Sequence, residues 1–238
     1  MKNLQQYLAT ASVAADVFSL RPDYRALLIA VNGITPGPSD DQSEQMLQEA
    51  EASARDKLSK QAVTELPHIA AWREAYKSFG AKPNKTRNSL EALTRRVEKG
   101  LPRVNRLTDI YNAICVKHQI PLGGEDLDKY SGPPQLIRAT GKEHFEATAA
   151  GEKVVEHPPV GEVVWCDDAG VTCRAWNYRQ GPRTALTDQT TSALFILDAL
   201  ESCTNDNLNA AGDELLDALK RFCPDLEVAC RLVSNTEP

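Results

Sequence analysis

The sequence predicts a mixed α/β protein built as one unit over residues 1–238. Three observations carry that expectation. Runs of strong helix formers occupy 42–119, β-rich runs cut by Gly, Pro and Asp-Ala-Gly occupy 135–200, and no internal repeat or Gly/Ser linker separates them. With 42% hydrophobic and 25% charged residues, the chain has the composition to bury one sizeable core.

In chain order, YRALLIAV (24–31), bounded by Pro22 and Asn32-Gly33, fits a buried strand. PGPSDD is a loop, and QSEQMLQEAEASARDKLSK is a solvent-facing helix that completes an N-terminal strand/helix part, 1–65. Pro67 opens a helix that Gly80 ends, with Ile69, Trp72, Tyr76 and Phe79 as a core stripe. Asn88 and Glu91 form a capping pair for a helix over 88–99, where Leu90, Leu93 and Val97 share a face and Gly100 is the stop. RVNRLTDIYNAICVKHQ turns Val104, Leu107, Ile110 and Ile114 to a core, and PLGGEDLD reads as an acidic turn.

QLIRAT, GEKVVEH, GEVVWCDD, VTCRAWNY and SALFILDAL then read as strands, with Gly170 at the tight position of a DDAGV hairpin. The C-terminal part, 201–238, reads as a helix through LNAAGDELLDALKRF, stopped by Pro224, and a strand LEVACRLV that closes a sheet.

Several function classes fall away on composition. No apolar stretch is long enough to cross a bilayer, so no membrane role is expected. The six cysteines form no CxxC and MKNLQQYLATASVAADVF lacks a signal-type apolar run, so a cytoplasmic protein with reduced thiols is expected. His68, His118, His144 and His157 are scattered, so neither a metal nor another cofactor is expected. There is no GxSxG and no Ser-His-Asp pattern.

Charge is unevenly distributed. Between Arg73 and Arg106 stand ten Lys or Arg against Glu74, Glu91 and Glu98, within a chain of net charge −6. Such segregation fits a polyanion-facing surface or a merely solvated face, and charge alone leaves both open. RAWNYRQGPRTALTDQTT gathers Trp176, Asn177, Tyr178, Arg179, Gln180, Thr184, Thr187 and Thr190. Aromatic faces, amides, hydroxyls and a guanidinium suit a terminal adenosine or an aminoacyl group. Trp176 and Tyr178, two apart, also fit one core-facing side of a strand, and both readings stand.

The runs WREAYKSFGAKPNKTRNSLEALTRRVEKG, LTDIYNAICVKHQIPLGGEDLD and GEVVWCDDAGVTCRAWNYRQGPRTALTDQTT resemble, in order over 66–200, the B3/4 domain of the bacterial phenylalanyl-tRNA synthetase beta subunit. They resemble the free-standing B3/4 proteins more closely still. The resemblance implies a β-sandwich-like core of unusual topology flanked by helices. It also implies hydrolysis of a misacylated tRNA ester in trans, with tRNA rather than DNA as partner. Some free-standing relatives remove canavanine from arginine tRNA, which makes canavanyl-tRNA(Arg) the leading candidate. Another mischarged tRNA, or a non-catalytic tRNA or amino-acid binding module, is the alternative.

Site residues follow from the matched positions. Asn112 stands at the family's spacing from the proline of a pocket-walling turn, which implies a pocket amide; a structural hydrogen bond to 121–126 is the competing reading. The synthetase carries Thr before that Asn and His at position 123, whereas this chain has Tyr111 and Gly123, so a preference for tyrosyl groups is not carried over. Gly123 and Gly124 allow close backbone approach, and Glu125, Asp126 and Asp128 place carboxylates where a guanidinium-type group could dock. Arg138, in an LRxA-like segment, is expected to bind a carboxylate, the substrate or Asp126. An activated ester needs only a placed water and oxyanion stabilisation. Asn112 and Asn177 are assigned to the carbonyl or water, Thr187 to a hydroxyl contact, Trp176 to an aromatic face and Arg179 to phosphate. Lys82, Lys85, Arg87, Arg95, Arg96 and Lys99 are assigned to the acceptor stem.

Overall fold

The core is organised by an apolar strand with no solvent-facing side, and the rest of the fold can be read from what covers it. The computed structural model describes residues 3–236. Its first elements are α1 (Leu4–Ala9), β1 (Ser12–Val13), α2 (Ala15–Leu20) and β2 (Arg25–Asn32). The two short helices have no counterpart in the sequence reading. α3 (Asp41–Leu58) begins at a reciprocal cap, in which the Asp40 carboxylate accepts from the Ser43 amide at 2.8 Å and the Ser43 hydroxyl accepts from the Asp40 amide at 3.0 Å.

α4 (Pro67–Ser78) starts on its proline and ends beside Gly80, whose φ of +86° lets the chain reverse. α5 is shorter than the expected 88–99, covering Ser89–Thr94. Asn88 caps it, accepting from the Glu91 amide at 2.9 Å. Beyond Thr94 the amides of Arg96, Val97 and Lys99 bond three residues back, a tighter winding than an α-helix. α6 (Arg106–His118) is capped by Asn105.

β3 (Leu122–Asp126) corrects the reading of PLGGEDLD as a turn. Turn-type residues form a strand here because β10 supplies a ladder partner, with Gly123 opposite Ile196 and Glu125 opposite Leu194. β4 (Gln135–Arg138), β5 (Phe145–Ala149), β6 (Glu152–Glu156), β7 (Val163–Asp167), β8 (Gly170–Arg174) and β9 (Arg179–Gln180) follow. β5 is absent from the sequence reading. β8 ends before Trp176, so Trp176 and Tyr178 do not share a strand face. The chain closes with β10 (Ser192–Ala199), α7 (Asn205–Lys220), which starts on the Thr204 cap ahead of the expected 208, and β11 (Glu227–Ser234).

Among the described residues three sheets form: β11-β2-β10-β3, β1-β4-β7-β8-β9, and the hairpin β5-β6. All eight residues of β10 are buried. One face of the four-stranded sheet (Leu28, Ala30, Leu194, Ile196) packs with Leu136, Val163, Trp165 and Cys173 of the five-stranded sheet. The other (Ile29, Val31, Phe195, Leu197) packs with Ile110 and Ile114 of α6 and Leu208 and Leu215 of α7. This sandwich backed by helices is the mixed α/β class expected, and burial on both faces explains why β2 and β10 are continuous apolar runs. Among the described residues no helix is long and apolar enough to cross a membrane.

Candidate functional site

A cavity of about 240 Å³ is lined by residues of the four-stranded and five-stranded sheets and of α5 and α6. The four-stranded sheet contributes Leu122, Gly123, Glu125, Ile196 and Asp198, and the five-stranded sheet contributes Trp165, Cys173 and Gln180. Tyr111 and Asn112 of α6 and Ser89, Ala92 and Leu93 of α5 close one side; Trp176, Asn177 and Tyr178 close the other. Because strand side chains alternate, Gly123 and Glu125 of β3 line the cavity, as do Ile196 and Asp198 of β10, while Phe195 faces the helices.

Asp198 is the principal ionisable group at the inner end. It is 3% exposed; Tyr24 donates its hydroxyl to Oδ1 at 2.6 Å and Asn177 donates Nδ2 to Oδ2 at 3.1 Å. Asn177 is itself oriented, because its Oδ1 accepts from the Tyr76 hydroxyl at 2.7 Å. Burial pushes the Asp198 carboxyl up to about 7, and the Tyr24 and Asn177 hydrogen bonds only partly oppose that rise. The Trp165 indole N–H lies near the same carboxyl without the alignment of a hydrogen bond.

The turn that delivers Asn177 is strained. Ala175 (φ +45°) and Trp176 (φ +66°) are successive residues in the left-handed region, a conformation that costs about 1–2 kcal/mol per residue. The fully buried Trp176 ring offsets that cost by packing edge-on against Tyr24 and Trp72, with centroids 5.0 and 5.2 Å away. Trp176 is therefore both a core residue and a wall of the cavity.

Glu125 also lines the cavity, with both oxygens engaged: the Tyr130 hydroxyl donates to one and the Thr184 hydroxyl to the other, the latter at 2.7 Å. Burial raises its pKa. Among the polar groups of the lining residues that have no hydrogen-bond partner among the described residues are the amide of Asn112, a residue 7% exposed, the buried Ser89 hydroxyl, and the indole N–H groups of Trp165 and Trp176. A hydrogen bond from Asn112 to 121–126 is absent, so its amide is available to a ligand.

Other expected site residues lie elsewhere. Thr187 is exposed and holds its own turn, its backbone amide donating to Thr190 Oγ1 at 2.9 Å; the hydroxyls that reach carboxylates are those of Thr184 and Thr190. Asp126 accepts from Thr190 at 2.8 Å and from the Asp128 amide, and Asp128 is exposed, so the expected trio of carboxylates does not converge. The Arg138–Asp126 pair does not form; Arg138 donates to the Gly161 carbonyl at 3.2 Å. Arg179 is held by Glu156 at 3.2 Å, with its guanidinium over the Phe145 ring, away from the cavity. Gly124 packs on the far side of β3, against Leu186 and Phe195.

The basic segment borders the cavity through α5. Arg73, Arg87 and Arg95 surround the fully buried Glu91; Arg73 and Arg95 donate to it at 2.8–3.0 Å, while Arg87 makes only an ion pair at 3.9 Å. Lys82, Lys85, Arg96 and Lys99 are exposed and make no ion pair with a described residue. Among the described residues no group of three or more His, Cys, Asp or Glu could hold a metal ion.

Sequence reasoning missed Asp198, Tyr24, Tyr76 and Ser89. A lone Asp inside the apolar run SALFILDAL was the one available signal, since a charge in a fully buried strand requires partners.

Comparison with known proteins gives two positive findings. A family model described as the B3/4 domain matches residues 71–224. Among solved structures, an N-terminal fragment of the phenylalanyl-tRNA synthetase beta-subunit from Pyrococcus horikoshii is similar at 13% identity and a TM-score of 0.47, over 92% of this chain and 50% of that one. The chain thus spans about half the length of that fragment. No curated protein matches.

Proposed function

We propose, for a chain that belongs to the B3/4 domain family, that it hydrolyses the ester of a misacylated tRNA in trans, in the cytoplasm, and that the amino acid removed has a cationic side chain. The observation that carries this reading is the cavity's charge: two buried carboxyls, Asp198 and Glu125, line it, and no Lys, Arg or His does. A guanidinium-type group entering this space gives Asp198 the counter-charge it lacks, and the carboxyl releases its proton as the cation binds. Canavanyl-tRNA(Arg), the leading candidate from the family resemblance, fits that chemistry.

Asn112 is suited to the reacting end. Its free amide can donate to the ester carbonyl and to the oxyanion that forms when water adds. The ester C–O bond then breaks and the ribose oxygen takes up a proton, with the vicinal hydroxyl of the terminal ribose placed to assist. Asn177, bonded to Tyr76 and Asp198, is a positioning residue rather than a direct carbonyl contact. The exposed cations Lys82, Lys85, Arg96 and Lys99 are the phosphate-facing set, on the side of the cavity that α5 closes.

The test is a panel of tRNAs bearing canavanyl, arginyl, seryl, threonyl and tyrosyl esters. Loss of the canavanyl ester first, a drop of about a hundredfold in Asn112→Ala, and a selective loss on cationic esters in Asp198→Asn are the expected results. Binding of tRNA with no ester lost across the panel makes the chain a binding module instead.

A further inference from the structure

We propose that Gln180 determines specificity, through the gap that Gly123 leaves in β3. Gly123 lines the cavity, and a Cβ built on it would stand 2.7 Å from Gln180 Nε2, so the Gln180 carboxamide occupies the space a side chain at 123 would fill. The loss of bulk at Gly123 therefore does not simply widen the cavity. Gln180 Nε2 donates to the Gly124 carbonyl at 3.2 Å, which fixes the amide's orientation. Its Oε1 bonds to no described residue, although Gln180 is a lining residue.

Two consequences follow for a ligand. The carboxamide is a wall that narrows the cavity beside β3 and excludes wide aromatic side chains. Its free Oε1 is an acceptor, suited to an N–H-rich group, and it adds to the two carboxyls without adding charge. Gln180 is thus a neutral filter at a site whose charge comes from Asp198 and Glu125.

This inference rests on the reading of the cavity as an aminoacyl site, and the experiment separates the two. Trp165 and Trp176 line the cavity, so tryptophan fluorescence reports occupancy without any need for turnover. The probes are two hydrolysis-resistant amides, 3′-canavanylamino- and 3′-phenylalanylamino-3′-deoxyadenosine. Wild-type protein is expected to bind the canavanyl probe at least about tenfold more tightly. Gln180 is exposed, so Gln180→Ala folds, and the preference should fall by about threefold or more, leaving only the part that Asp198 and Glu125 supply. Gln180→Met keeps the bulk and loses the acceptor, so it should still exclude the phenylalanyl probe while binding the canavanyl probe about tenfold more weakly.

Gly123 does not sit at positive φ, and its Cβ would meet only the flexible end of Gln180, so Gly123→Ala should displace the amide and behave like Gln180→Ala. Wild-type selectivity that persists within twofold in Gln180→Ala and Gly123→Ala overturns the role of Gln180 and leaves the aminoacyl reading in place. Wild-type protein that binds neither probe overturns the aminoacyl reading and this inference with it.

Discussion

Replacing Asp198 by Asn should make the stability difference between variant and wild type change sign with pH. The buried carboxyl moves from an ordinary value of 3.8 to about 7 on folding. Between those values the unfolded chain has released the proton and the folded chain keeps it. Wild-type stability therefore falls by about 1.4 kcal/mol for each pH unit in that window, and the contribution is flat on either side. The full cost at pH 8 is about 4 kcal/mol. Asn cannot ionise and escapes that cost. It can, however, accept from Tyr24 or from Asn177 but not from both, a mismatch worth about 1–3 kcal/mol. The variant should be less stable near pH 4 and more stable by roughly 1–3 kcal/mol at pH 8. Urea unfolding of both proteins at pH 4, 5, 6, 7 and 8 measures this. Two stability curves that run parallel across the range would refute a carboxyl held protonated by burial.

Further expectations follow from the same geometry. Burial lowers the His68 pKa to about 4, and its ring contacts the Gln119 carbonyl, the Trp72 indole and the Leu200 amide. Its folded value lies below the unfolded one, so its contribution to stability is present above pH 6.5 and is lost as pH falls toward 4; NMR titration of the ring should show no protonation above pH 5. Removing Lys85 and Arg96 together should lower the salt slope of tRNA binding by about two, read from affinities at several salt concentrations. Arg95→Ala should instead act mainly on stability, because it deprives the buried Glu91 of one of its guanidinium partners, and thermal melts beside the same binding assay separate the effects. Thr187→Ala should leave deacylation within about threefold of wild type in single-turnover assays, since that hydroxyl lies outside the cavity.

The helices from α3 onward were legible because their signals are local. Asn88, Pro67 and Gly80 act within a turn of themselves, and each stands where the sequence placed a boundary. β3 was not legible, because Gly-Gly-Glu-Asp carries turn chemistry and becomes a strand only through β10, about seventy residues later. The same distance hid most of the site. Asn112 and Asn177 could be singled out as amides, yet which one is free and which is bound depends on Tyr76 and Asp198, from other parts of the chain. Arg138 and Arg179 could not be placed from sequence because a guanidinium reaches several partners, and the fold sets Arg138 beside the Gly161 carbonyl and Arg179 beside Glu156.

β10 has a consequence for how the protein is born. Its Leu197 pairs with Leu27 on one side and Leu122 on the other, so the cavity floor is laid only when residues 192–199 enter between strands made long before. Such non-local pairing closes late and cooperatively. A nascent chain ending before Ser192 carries Asn112 and Gly123 but lacks Ile196 and Asp198, and so has the rim of the cavity without its floor. The capacity to bind a ligand in the cavity should therefore arrive with β10, the tenth of the eleven strands among the described residues, and a chain unfinished before it should bind no probe. Truncations on either side of β10, assayed for probe binding, would show that step.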